Sequence, residues 1–267
     1  MSEVTDGVAA HYGTANLTDR ILAAAAAAGI TEITPAALSP VDEFHTGGAI
    51  ATRQLAEFAA LKAGERVIDL GSGLGGPSRL LAAEFGCDVT GIDLTPDFVE
   101  AARALTERCG LTATCRFELG DATATGLPGG TFDAGWSQHA VMNIRARQAF
   151  CNEAFRLLKP GGRFAFFDLL QGDNPAPLDF PQPWARTPEI SFLHTPAETR
   201  AFFANAGFEE VAWQDVALPD APMPRITNGF GLAFILGEDM GPRIQNVIRA
   251  ILDGRVVIAR ALFRKPR

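Results

Sequence analysis

From Arg66 onward, short apolar runs alternate with longer stretches of mixed polarity. Val67-Ile68-Asp69-Leu70 is one such run, and brief apolar runs bounded by turn residues read as buried strands. Residues 88–93, 115–119, 132–137 and 163–169 repeat the pattern. Helical stretches fall between them: 77–85, stopped by Gly86; one opened by Thr95-Pro96 and ended by Gly110; and 146–158. Thr95 with Pro96 behind it predicts a hydroxyl N-cap and a proline in the first turn. Pro160-Gly161-Gly162 reads as a turn ahead of the fifth strand. Strands alternating with helices predict βαβ units and a parallel sheet.

The two ends of the chain differ. Residues 1–60 have a helical pattern, with one segment over 11–28 and another opened by Gly47-Gly48 and running to Leu61. Residues 171–194 are proline-rich and aperiodic, which predicts a loop or lid. Thr195-Pro196-Ala197-Glu198 has the form of a capping box, opening a helix that ends at Gly207. A strand at 211–213 and a terminal strand at 256–263 bracket an insertion, 218–254, with a helix near 242–252. This late pair predicts one antiparallel strand. The expected organisation is an N-terminal helical cap, 1–64, and a core, 65–267, with insertions at about 171–194 and 218–254.

Composition narrows the function. The chain has 267 residues, of which 47% are hydrophobic and 20% charged, as in an ordinary globular protein. Its formal charge is -8, with no Lys/Arg run before Arg264-Lys265-Pro266-Arg267, so a nucleic-acid partner is not expected. That last stretch reads as a solvated tail. Cys87, Cys109, Cys115 and Cys151 form no C-x-x-C pair, which predicts free thiols in a reducing cytoplasm and no zinc site. The apolar run at 21–30 is too short to span a bilayer, and the Glu3, Asp6 and Asp19 before it are unlike the basic start of a signal peptide.

The candidate chemistry starts at Asp69-Leu70-Gly71-Ser72-Gly73-Leu74-Gly75-Gly76, between a strand and a helix. Glycines there allow a sharp turn and let a ligand lie against the backbone. Asp93 ends the next strand, where a carboxylate can accept both hydroxyls of a ribose. Nicotinamide dinucleotides and S-adenosylmethionine both fit so far. Asp69, just before the first glycine, suits a cation and would repel a pyrophosphate. Asp121, after the third strand, suits an adenine amino group. The plainer alternative makes Asp69, Asp93 and Asp121 turn and cap residues.

Three segments, residues 67–77, 91–95 and 158–163, resemble the successive motifs of class I S-adenosylmethionine-dependent methyltransferases. The resemblance runs from about Phe44 to Trp213. It implies a Rossmann-like α/β fold with seven mostly parallel strands, helices on both faces, an N-terminal helical cap and a helical insertion before the last strand. Residues 41–48 (VDEFHTGG) and 136–144 (WSQHAVMNI) are similar to bacterial sarcosine/dimethylglycine N-methyltransferase-like enzymes, and also to phosphoethanolamine and tocopherol methyltransferases. By resemblance, Asp69, Gly71 and Gly73 meet the methionine end of the cofactor. Asp93 and Leu94 meet ribose and adenine, and Asp121 and Ala122 meet adenine. Thr46 and Gly47 cover the cofactor, and Gln138 lies where the fold closes over the sulfonium.

On the acceptor side His139 is the first candidate, at the carboxyl end of the fourth strand, to orient a nucleophile or take its proton. A packing histidine is the alternative. Phosphoethanolamine enzymes pair an N-terminal tyrosine with a histidine after this strand. Tyr12 fits the first role, but Asn143 occupies the second place, which argues against that substrate. His11, His45 and Trp184 are further candidates, and His194 reads as structural. The expected acceptor is a small molecule, first an amine such as sarcosine or dimethylglycine. The other option is C- or O-methylation of a hydrophobic substrate, with Phe230, Leu232, Phe234, Ile235 and Leu236 lining its pocket. Core packing or a homodimer face is the alternative for that insertion. A binding protein without catalysis, or a dehydrogenase, are the competing classes.

Overall fold

Strand β1 (Arg66–Leu70) buries every residue but its first, as a parallel strand covered on both faces must. Val67 faces one core, while Ile68 and Leu70 face the other. This two-residue alternation sets the layers of the molecule. The computed structural model describes residues 16–43, 45–217 and 239–267. Among them is a seven-stranded sheet, ordered β3-β2-β1-β4-β5-β7-β6. The remaining strands are β2 (Asp88–Asp93), β3 (Cys115–Leu119), β4 (Phe132–Gln138), β5 (Leu158–Gln171), β6 (Glu209–Asp215) and β7 (Val256–Arg264). The first five pair in parallel, and β7 runs antiparallel to both of its neighbours. The order reverses between β1 and β4, so the crevice beyond their carboxyl ends is where a ligand sits in such sheets.

The helices are α1 (Leu17–Ala27), α2 (Pro35–Asp42), α3 (Gly48–Phe58), α4 (Gly76–Phe85), α5 (Pro96–Arg108), α6 (Arg147–Leu157), α7 (Pro196–Asn205) and α8 (Met240–Leu252). Leu55, Leu81, Val99 and Ala250 bring α3, α4, α5 and α8 to one face. Phe150, Leu157 and Phe203 bring α6 and α7 to the other. A third cluster, with Ile21, Leu38, Leu74 and Phe98, packs α1 and α2 over α5 and the glycine turn. Leu74 belongs to that turn, so this outer layer is anchored directly on it.

Four expectations need correction. Residues 160–162 do not end one element before another: β5 starts at Leu158 and passes through them, because Gly161 takes a φ of 78° and Gly161 N–H donates to the Lys265 carbonyl. The C-terminal residues are not merely a tail, since the Lys265 ammonium donates to the Phe155 and Leu158 carbonyls. Residues 35–42 form a separate helix, started by Pro35 and by the Thr34 hydroxyl, which accepts the Ala37 N–H. Thr95 does not cap α5 through its side chain; its own N–H is instead held by the Asp93 carboxylate. By contrast, Thr195 and Glu198 make the capping box as written. Tyr12, His11 and residues 218–238 lie outside the described residues.

Candidate active site

The chain leaves β1 at Asp69-Leu70 and turns through Gly71, Ser72 and Gly73 into α4. Gly71 (φ 88°), Gly73 (54°) and Gly75 (78°) all have left-handed backbones, the conformation that favours glycine. At Gly71 a Cβ would lie 2.3 Å from the Ala140 Cβ, so this turn is pressed against the end of β4.

The hydrogen bonds of the turn restrict what can bind. Gly71 and Ser72 N–H both donate to the Ile92 carbonyl, Gly75 N–H to the Ser72 carbonyl, and Gly73 N–H to Asp93 Oδ2 at 2.8 Å. A pyrophosphate cradle needs such N–H groups free. Here they are used within the protein. Asp42 also sits against Gly76, the first residue of α4, where a phosphate would otherwise meet the helix end.

Asp69 is 2% exposed. The Ser78 hydroxyl donates to it at 2.6 Å, and among the described residues no Lys or Arg pairs with it. Burial pushes its carboxyl up to about 7, with Asp93 and Glu43 adding to the rise. A buried acid this short of positive charge is suited to a cationic ligand. Asp93, half-buried at the tip of β2, accepts the Gly73 and Thr95 N–H groups, and burial raises its carboxyl as well. Leu94 follows it and is half-buried. Asp121 is exposed beyond β3, where its carboxylate accepts the Thr123 N–H and hydroxyl; Ala122 beside it is half-buried.

The tip of β4 carries Gln138 and His139. Gln138 is buried, its Nε2 lies 2.9 Å from His45 Nδ1, and its Oε1 accepts from the Thr52 hydroxyl at 3.3 Å. His45 in turn meets Glu43, so residues 43–47 are tied to β4. Thr46 is half-buried and Gly47, with a φ of 86°, is the N-cap of α3. His139 adopts a φ of 50°, and its N–H donates to the Phe167 carbonyl. Its Nε2 is buried without a partner, with its ring 4.9 Å from Phe167 and 5.9 Å from His45. Burial, with the neighbouring His45 ring adding to it, pushes this imidazole well below its ordinary range, so it is neutral near pH 7.

Asn143 sits in the short 3₁₀ turn after β4, where its Nδ2 donates to the Trp184 and Ile190 carbonyls. It fastens the proline-rich segment to the sheet. Trp184 is 1% exposed, with its indole N–H on Ser191 Oγ. His194 packs on the Phe202 ring, 3.8 Å from Glu198. Four polar residues have no role in the sequence reading: Asp42 and Glu43, which lie in the 41–48 motif, and Thr52 and Arg79, which lie outside every motif. Arg79 is fully buried, donating to Asp42 at 2.6 Å and to the Leu74, Ala102 and Thr106 oxygens. An arginine in the first turns of a helix whose neighbouring positions are mostly apolar, two residues past Pro77, is the signal that points to it. All four cysteines are free, Cys87, Cys115 and Cys151 buried and Cys109 half-buried, and among the described residues no group of His, Cys, Asp and Glu is placed to hold a metal ion.

Residues 68–166, from within β1 into β5, match the family described as "Methyltransferase domain". That match covers just over a third of the chain. The glycine turn, Asp93, Gln138 and His139 all fall inside it. Outside it are α1 to α3 and everything after β5. A 24-methylenesterol C-methyltransferase 2 of Oryza sativa subsp. japonica is 31% identical over 173 residues, covering 63% of this chain and 48% of that protein. A sarcosine/dimethylglycine N-methyltransferase of Halorhodospira halochloris is 32% identical over 151 residues, covering 56% and 53%. The chain thus spans about half the length of these relatives. A solved geranyl diphosphate methyltransferase, described in complex with GPP and sinefungin, superposes with a TM-score of 0.71 at 16% identity, covering 99% of this chain and 100% of that one. This likeness shows the same Rossmann-like fold. Among the described residues no helix is long and apolar enough to cross a membrane.

Proposed function

We propose that this chain transfers a methyl group from S-adenosylmethionine to a small-molecule acceptor, and that the acceptor is an amine of the sarcosine or dimethylglycine kind. One observation carries the cofactor choice: the turn spends the Gly71, Ser72, Gly73 and Gly75 N–H groups internally while presenting the buried, cation-seeking Asp69. That pairing fits a positively charged methionine end and not a pyrophosphate. In this reading Asp69, Gly71 and Gly73 hold the methionine end. Asp93 and Leu94 take the ribose and adenine, and Asp121 and Ala122 take the adenine rim. Residues 1–64 serve as a cap in which Thr46 and Gly47 close over the site.

When bound, the cofactor supplies an electrophilic methyl on a sulfonium. The protein's task is alignment, and holding two reactants in line removes roughly 7–11 kcal/mol of barrier. His139 serves it with a neutral imidazole whose Nε2 is free to accept a hydrogen bond or proton from the acceptor. Tyr12 and Asn143 are assigned to the acceptor side, Asn143 by fixing the Trp184 segment. A second reading, C- or O-methylation of an apolar acceptor, draws on the Phe167 ring beside His139 and on the sterol-methylating relative. Calorimetry with S-adenosylhomocysteine tests the cofactor; absence of binding ends the proposal. Labelled S-adenosylmethionine with a panel of amines and of apolar acceptors tests the substrate, and transfer to apolar acceptors alone would move the assignment to the second reading.

A further inference from the structure

Four polar side chains form one buried cluster at the seam between residues 43–52 and the tip of β4. Glu43, His45, Thr52 and Gln138 are each less than one-tenth exposed. Burying such groups is unfavourable unless every donor and acceptor is matched. His45 Nε2 lies 2.5 Å from Glu43 Oε2, so that nitrogen bears a proton and donates it to the carboxylate. Its Nδ1 is then the lone-pair side, and Gln138 Nε2 donates to it at 2.9 Å. Thr52 has one hydroxyl proton and three neighbours: Glu43 Oε2 at 2.8 Å, His45 Nε2 at 3.1 Å and Gln138 Oε1 at 3.3 Å. The proton goes to the nearest and most negative of them, Glu43. Gln138 Oε1 is left with the weakest of the contacts and keeps its capacity to accept.

The amide is therefore set by a chain of preferences that begins at Glu43. Its orientation matters because β4 lies beside β1 and the loop after Gln138 touches Gly71. We propose that Glu43 and Thr52 act through His45 as positioning residues for Gln138, turning its carbonyl oxygen toward the cationic end of the bound cofactor. This rests on the cofactor reading above.

The experiment uses protein labelled with ¹⁵N-histidine. Long-range ¹H–¹⁵N spectra report which ring nitrogen carries the proton, with the His45 signal assigned by its loss in His45→Gln. The expected result is a proton on Nε2 and a bare Nδ1, replaced by a mixture in Glu43→Gln. In calorimetry with S-adenosylhomocysteine, Glu43→Gln, Thr52→Val and Gln138→Leu each weaken binding about tenfold, whereas Thr52→Ser stays within about threefold of the parent. The double variant Glu43→Gln/Gln138→Leu is no weaker than Gln138→Leu alone, since both changes act on one group. A proton on Nδ1, or additive losses in the double variant, overturns the proposal. Should Glu43→Gln fail to fold, Thr52→Val with Gln138→Leu gives the same cycle. Failure of the parent protein to bind the ligand sinks the cofactor reading, while the histidine spectrum still judges the positioning on its own.

Discussion

Cofactor affinity should titrate with Asp69. Its carboxyl is buried at the end of β1, with the Ser78 hydroxyl as its hydrogen-bond donor, and burial holds it at about 7. A ligand carrying a fixed cation selects the ionised form, so apparent affinity scales with the ionised fraction. That fraction is about one-half at pH 7, one-tenth at pH 6 and one-thirtieth at pH 5.5. Affinity for S-adenosylmethionine should thus fall about thirtyfold between pH 8.5 and 5.5, nearly all of it below pH 7.5. Stability moves the other way. A carboxyl raised on folding adds stability that is complete below its unfolded value of 3.8 and is lost as pH rises through about 7. Asp42 and Asp168, each raised to about 6 chiefly by burial, act in the same sense. The ligand-free protein should therefore lose stability between about pH 4 and 7, a range that overlaps the one where binding improves. Calorimetry from pH 5.5 to 8.5, repeated on Asp69→Asn, checks the first trend, and urea denaturation checks the second. A flat affinity profile, or a slope that survives in Asp69→Asn, would refute the assignment of Asp69.

Gly71→Ala should lose about 1–2 kcal/mol from the left-handed backbone and a further 1–3 kcal/mol from the overlap with Ala140, read as a lower urea midpoint. Adding Ala140→Gly should restore the second part and leave the first. Arg79→Met strands Asp42 in the interior, and should destabilise the fold by about 3–5 kcal/mol at pH 8. The loss should be smaller at pH 5, where Asp42 is neutral; an equal loss at both pH values would contradict this. His139→Asn keeps a residue that tolerates the φ of 50°. It should leave S-adenosylhomocysteine affinity unchanged while lowering methyl transfer to an accepted substrate by about 10²–10⁴-fold.

The parts of this molecule that could be read from sequence are those governed by local rules. The first strand is a short apolar run, the capping box at Thr195 closes within four residues, and the glycine turn follows its strand directly. Two of the four corrections lie where a distant partner decides, while the helix at Pro35 and the Asp93 hold on Thr95 are local features the pattern did not reveal. Gly161 looks like a turn residue, but its N–H is taken by Lys265, more than a hundred residues later, and the strand continues through it. The same pairing draws the C-terminal basic residues into the fold. The site divides along this line too. Asp69, Gly71 and Asp93 are marked by their place at strand tips. Glu43 and Thr52 become significant only when residues 43–52 are folded onto β4, bringing Gln138 within reach across 86 residues. Arg79 is a similar case, since its meaning depends on Asp42 in another helix. The cofactor side of such a domain is built from backbone turns and strand ends, which leave a local signature. Its closing side is built from side chains meeting across layers, which leave no such signature.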